Sequence, residues 1–235
     1  MYIFGLYVSY DAVMLGLIAV FFISLIASGK VQRTFTRYNG LPGQRGLTAS
    51  AAAREMLAAH NCQISVTRVS GSLTDHFNPT KKEVGLSTDV HGSTSVAALA
   101  IAAHEVGHVL QYEEGYSLMT FRNNLLPVAR IGSSAGPYIA IIGMAISSHT
   151  LASIGLGLYC AMFLFQLITL PVELNASKRG LDLLQEGGYV SRENEPAAKK
   201  VLKAAAMTYV WAAVSSFLSV LRLAILVNGR GRRRD

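Results

Sequence analysis

The chain is short of charge. Only 15% of its 235 residues are Asp, Glu, Lys or Arg, while 51% are hydrophobic. A typical soluble domain carries about 25% charged residues. Together with a mean hydropathy of +0.36, this excludes an ordinary water-soluble domain and points to a membrane protein with a modest polar portion. Cysteine is scarce as well. Cys62 and Cys160 form no C-x-x-C pair, and Cys160 sits inside an apolar run. A disulfide framework is excluded, and the usage fits a reducing compartment. The 21 basic residues exceed the 14 acidic ones, giving a net charge of +7. They form no aromatic-interleaved stripe but sit beside apolar runs, so they read as flanks of membrane helices and not as a nucleic-acid surface. Internal repeats and low-complexity linkers are absent.

What is present is a set of long apolar runs. The first covers residues 12–28, or 2–28 if Asp11 is tolerated near an interface. It lacks the basic n-region and the A-x-A site of a signal peptide. Lys30, Arg33, Arg37 and Arg45 follow it. We read residues 1–30 as an uncleaved anchor with its C-terminal end in the cytoplasm. Residues 128–147 and 150–170 are two further runs of bilayer length, separated by Ser148 and His149. The 128–171 segment is therefore expected to be a transmembrane hairpin whose outer ends emerge on one side. A last run, 204–227, carries Arg222 and is followed by Arg230, Arg232, Arg233 and Arg234. If it spans, those arginines lie against the positive-inside rule, so an interfacial or bundle-packed helix is the alternative.

Between the anchor and the hairpin lies a polar stretch, 31–127. Its NGLPGQRG segment (39–46) is a loop. Thr48 stands as N-cap of an Ala-rich helix that ends at Asn61. Residues 63–69 (QISVTRV) and Glu83–Ser87 read as two strands, and 71–82, with Pro79, reads as the loop between them. A helix over 96–111 follows, capped by Thr94 or Ser95.

That helix carries His104-Glu105-Val106-Gly107-His108, an H-E-x-x-H pattern. Residues four apart share a helix face, so both imidazoles can reach one tetrahedral zinc at about 2.0–2.1 Å. Glu105 is placed to act as general base on a water that zinc brings to a pKa of about 7. The plain alternative is a pair of core histidines satisfied by hydrogen bonds. A catalytic site of this type needs a third protein ligand. His149 lies in the hairpin turn, and Glu113 and Glu114 are too close on the same helix. Glu173 is the best candidate, because it follows the hairpin directly and heads a helical stretch, 171–184. Its plain alternative is a solvated carboxylate at a membrane boundary.

The H-E-V-G-H pattern, L-T-D-H-F-N-P at 73–79 and V-E-L-N-A-S at 172–177 resemble the YugP-like bacterial family of neutral zinc metallopeptidases. The likeness runs from about Tyr2 to the arginine-rich tail. That family is itself similar to the membrane gluzincins that include HtpX and the CAAX prenyl proteases. There, the third ligand is the Glu of an E-x-x-x-D motif, which falls on Glu173. The aspartate of that motif, which supports a zinc histidine from behind, is Ser177 here. The resemblance therefore leaves Asn175, Ser177 or another residue to take its role. It also marks Asp75 and His76, where His76 either contacts substrate or stabilises an oxyanion, or else belongs to a loop held by Asp and Asn turns.

The expected fold is a mostly α integral membrane protein. It has a zincin-like catalytic unit with a two-stranded β element and an H-E-x-x-H helix, beside a transmembrane bundle. Residues 172–203 would form the third-ligand helix and a polar segment, and 204–235 a hydrophobic helix with a basic tail. The expected activity is a membrane-bound endopeptidase using one Zn2+ per chain, facing the cytoplasm from the plasma membrane. Its substrate would be a peptide or membrane protein aligned along Glu83–Ser87 as an edge strand, and self-association or a membrane partner protein would be compatible with it. A site-2-type intramembrane protease competes, but the motif helix is short of the roughly 20 residues a span needs. A non-enzymatic zinc scaffold also competes, although it has no use for Glu105.

Overall fold

A computed structural model describes residues 2–3 and 6–231. In chain order the elements are β1 (Tyr2–Ile3), β2 (Leu6–Tyr7), α1 (Tyr10–Asn39), α2 (Ala49–Ala59), β3 (Ser65–Val69), β4 (His76–Asn78), β5 (Glu83–Ser87), α3 (Thr88–His91), α4 (Val96–Glu113), α5 (Ser117–Ala145), α6 (His149–Glu186) and α7 (Glu195–Gly231). Helices dominate, as the composition leads one to expect. Arg232, Arg233 and Arg234 of the expected basic tail lie outside the described residues.

The chain divides into two compact units, and α1, α5, α6 and α7 each contribute to both. One unit comprises residues 1–26, 121–170 and 208–235; the other comprises 27–120 and 171–207. Among the described residues, α1, α5, α6 and α7 are each long and apolar enough to cross a bilayer.

In the first unit, α5 and α6 form the expected hairpin. Ser147 takes a positive φ of 62° and the Ser148 amide donates to Gly143 O at 2.8 Å, a Schellman-type stop for α5. The Ser148 hydroxyl then accepts from Leu151 N and caps α6. Glycines let the two helices touch backbone to backbone. A Cβ on Gly136 would meet Gly155 O and Tyr159 N at 3.0 Å, and one on Gly132 would strike Leu158 O. Large apolar side chains, among them Ile131, Tyr138, Ile141 and Ile154, stay exposed.

The second unit has a continuous core. Met56 and Leu57 of α2, Val84 and Leu86 of β5, Val96, Leu99 and Val106 of α4, Leu183 and Leu184 of α6 and Val201 and Leu202 of α7 are all buried there. Thr48 caps α2 and Ser95 caps α4 through their hydroxyls. Ser95 Oγ also donates to Asn39 Oδ1 at 2.8 Å, tying the end of α1 to the start of α4. The NGLPGQRG loop is held to the same place, with Gly43 N donating to Thr94 O and Val96 N to Leu41 O, both at 2.8 Å.

The small sheet corrects two expectations. Its order is β3-β5-β4, with β3 parallel and β4 antiparallel to β5. His76–Asn78, expected within a loop, is a strand. It is three residues long and mixed in polarity, so it gives no alternation to read. Asn78 Oδ1 accepts from Thr80 N and Lys81 N, an Asx turn that folds β4 back onto β5. Glu83–Ser87 is accordingly the central strand, paired on both sides and largely buried, and not an edge on which a peptide aligns. Glu173 is reached along one unbroken α6, which continues through Pro171.

Candidate metal centre

All the residues at issue lie in the second unit. His104 and His108 are one turn apart on α4, and Glu173 lies on the continuation of α6. Glu173 Oε2 stands 3.3 Å from His104 Nε2 and 3.5 Å from His108 Nε2. Ligand atoms at about 2.0–2.1 Å from a tetrahedral ion stand about 3.3–3.4 Å from one another. Two nitrogens and one carboxylate oxygen are a suitable donor set for zinc, and the two distances from Glu173 lie close to that spacing. Glu173 is 3% exposed and His108 8%, so without a cation this would be a buried carboxylate among imidazoles.

The crossing of α4 and α6 depends on missing side chains. A Cβ on Gly107 would meet Ala176 O at 2.5 Å, and one on Gly180 would meet His104 N at 2.9 Å. Gly107, inside the motif, is therefore what lets α6 come close enough for Glu173 to reach both histidines.

The far nitrogens of both imidazoles are also engaged. His108 Nδ1 is 2.9 Å from Gln111 Oε1, while the Gln111 amide nitrogen donates to Val172 O at 2.8 Å and Asn175 Oδ1 at 2.9 Å. That orientation of the amide makes Nδ1 the protonated nitrogen of His108 and leaves the Nε2 lone pair toward Glu173. His104 Nδ1 lies 3.2 Å from Ser177 Oγ. Asn175 is not hydrogen-bonded to either histidine among the described residues; its Oδ1 accepts from Gln111 and from Arg179 Nε at 2.8 Å. Arg179 in turn pairs with Glu114 through two contacts of 2.7 Å, which accounts for one of the carboxylates set aside as ligands. His149 lies in the first unit, with Ser153 Oγ 3.3 Å from its Nδ1.

Gln111 is a residue that the sequence reading missed, having taken it only as a helix end. The available signal is its spacing: three residues after His108, on the same helix face.

Glu105 is buried, and burial is the main cause that pushes its carboxyl above the usual range. The Asp75 and Glu173 carboxylates push the same way, while the two imidazoles oppose them. Burial lowers His108, but its hydrogen bond and ion pairing with Glu173 outweigh that and leave the imidazole raised. Asp75 is fixed by Ser87, whose amide donates to Oδ1 at 2.7 Å and whose hydroxyl donates to Oδ2 at 3.0 Å. It anchors β4 to the end of β5. His76 is exposed and is not one of the clustered ligands. Its Nδ1 stands 3.0 Å from Thr74 O, and its ring occupies the space left by Gly85. Phe77 of β4 packs edge-on against Tyr112 of α4, ring centroids 5.7 Å apart, so this edge strand runs beside the motif helix.

The class this defines is a helix-borne His-His-Glu site fit for a divalent cation, on a chain that has, among the described residues, four helices of bilayer length. Residues 13–228 match the model of the family described as "Putative neutral zinc metallopeptidase", and the chain belongs to that family. It is also 39% identical over 215 residues to the "Putative membrane protease YugP" of Bacillus subtilis (strain 168), covering 91% of this chain and 96% of that protein. No solved structure matches the chain.

Proposed function

We propose that the protein is a membrane-bound zinc endopeptidase, with zinc held by His104, His108 and Glu173. The observation that carries this reading is the convergence of three ligand atoms, all within 4.8 Å of one another, with a buried Glu105 beside them. Zinc bound there supplies a Lewis acid for a peptide carbonyl and brings water to a pKa near 7. Glu105, buried beside the ligands, would take the proton from the attacking water and give it to the leaving amine. Gln111 and Ser177 hold the two histidines in orientation from behind. The exposed edge of β4, beside α4, offers an extended peptide a row of backbone partners, with His76 on that strand placed to contact it.

In this reading α1, α5, α6 and α7 cross the plasma membrane and the 27–120/171–207 unit faces the cytoplasm. The motif helix α4 is not among the four helices of spanning character, which favours a site at the membrane surface over a site-2-type site within it. The substrate is a peptide or a membrane protein.

The test is zinc content by elemental mass spectrometry on detergent-purified protein, alongside cleavage of an unfolded protein substrate. Wild type should carry about one zinc, Glu173→Ala should lose it, and Glu105→Gln should keep it while hydrolysis falls by more than about 100-fold. Zinc retained by Glu173→Ala would reject the third ligand. Wild-type cleavage by Glu105→Gln would reject the base. A folded wild type that takes up no zinc would reject the zinc site itself, while one that holds zinc without cleaving would favour the scaffold reading.

A further inference from the structure

A cavity in the same unit contains none of the residues of the metal centre. Lys30, Thr34, Arg37 and Tyr38 of α1 and Lys200, Lys203, Ala204 and Met207 of α7 line a cavity of about 410 Å3. The spacing on each helix, 30-34-37-38 and 200-203-204-207, is that of a single face. Four cations thus border one cavity with no carboxylate among its lining residues. Among the described residues, none of the four makes a salt bridge or a side-chain hydrogen bond; Arg37 lies near the Tyr38 ring, 5.8 Å from its centroid. Like charges held around a hollow repel one another, and an anion seated between them relieves that repulsion.

The position of the cavity in the chain says which anion. The apolar run 12–28 ends two residues before Lys30, and the run 204–227 begins at Ala204, which itself lines the cavity. Met207 and Ala204 add an apolar wall beside the cations. A ligand with a negative head and an apolar continuation matches this pairing, at the depth where lipid headgroups sit. We infer that this cavity is a binding site for the phosphate headgroup of an anionic phospholipid. The inference rests on the reading that α1 and α7 cross a bilayer, and it is independent of the metal centre.

Native mass spectrometry of the detergent-solubilised full chain tests it, titrating phosphatidylglycerol against phosphatidylcholine. Each basic side chain near an anionic surface contributes on the order of fivefold in affinity. Wild type should prefer phosphatidylglycerol, and Lys200→Gln/Lys203→Gln should lose on the order of 25-fold of that preference, two such factors multiplied. Arg33→Gln/Lys199→Gln, which removes the same total charge from the two helices that line the cavity but outside its lining, should retain it. Circular dichroism shows whether each variant is folded, and Lys200→Arg/Lys203→Arg should bind as wild type does.

Equal loss in both charge-removing pairs would mean diffuse surface charge and overturn the site. Equal binding of the two lipids by wild type would overturn it as well. Displacement of phosphatidylglycerol by millimolar inorganic phosphate would assign the cavity to a soluble phosphate and reject the lipid. A chain that stays soluble without detergent would overturn the membrane crossing before any lipid is added, and the inference with it.

Discussion

The protein uses one packing device in two places. In the first unit, Gly132, Gly136 and Gly155 bring α5 and α6 backbone to backbone; in the second, Gly107 and Gly180 do the same for α4 and α6. The surroundings differ. At the first crossing Ala140, Ala152, Leu156 and Tyr159 pack together, the Ser133 and Ser134 hydroxyls are turned onto carbonyls of their own helix, and large apolar side chains such as Ile131 and Ile154 remain exposed. At the second, the closeness places Glu173 on two imidazoles and closes a network through Gln111, Asn175, Arg179 and Glu114. Close packing of small residues therefore specifies helix approach in both units, and the polar residues at the approach decide whether it becomes a chemical site. A single helix, α6, serves both purposes on either side of Pro171.

The sharpest way to break the comparison is to fill each crossing in turn. Gly107→Val has to move the α6 backbone at Ala176, because its Cβ alone would sit 2.5 Å from Ala176 O. Metal ligands tolerate only about 0.2 Å of displacement. Zinc affinity should fall by more than about 100-fold, beyond the 10–100-fold typical of a lost supporting hydrogen bond. Gly155→Val also meets backbone, at Ala140 and Gly136, and should lower thermal stability in detergent while about one zinc per chain remains. Zinc loss of the same size in both variants would erase the distinction between the crossings.

How far this was legible in sequence follows from the same contrast. The H-E-x-x-H histidines, the two apolar runs of the hairpin and the capped start of α4 each leave a periodic or local signature, and the structure has a helix at each of these places, with Ser95 as the cap of α4. Glu173 enters as a candidate only by elimination and by resemblance, because a lone carboxylate after an apolar run carries no period of its own. Gln111 was missed because a helix-end glutamine looks like solvent-facing polarity until α6 arrives to bury it. The order of the sheet was misread for a related reason. Val84 and Leu86 are apolar enough for any strand, and only the unrecognised β4 decides that β5 lies at the centre.

Gln111 supplies the next test. Gln111→Leu keeps the volume approximately but removes the acceptor for His108 Nδ1 and leaves Val172 O and Asn175 Oδ1 without its amide. Zinc affinity should fall by about 10–100-fold, the usual cost of losing the group that orients a metal histidine. Competition with a chelating dye measures this directly. Unchanged affinity would mean that packing of α4 alone orients His108.

Ser177 is the smallest step and separates the two histidines. Its hydroxyl is 3.2 Å from His104 Nδ1, a longer contact than the 2.9 Å between Gln111 and His108. A neutral hydrogen bond of this kind contributes about 0.5–1.5 kcal/mol, so Ser177→Ala should weaken zinc by no more than about tenfold. Ser177→Asp puts a carboxylate where the hydroxyl now meets His104, and a charged acceptor roughly doubles the strength of such a bond. That variant should bind zinc more tightly than wild type, with the gain disappearing in His104→Ala. A gain that survives His104→Ala would mean that the new charge acts on the cation through space, and that Ser177 does not orient His104.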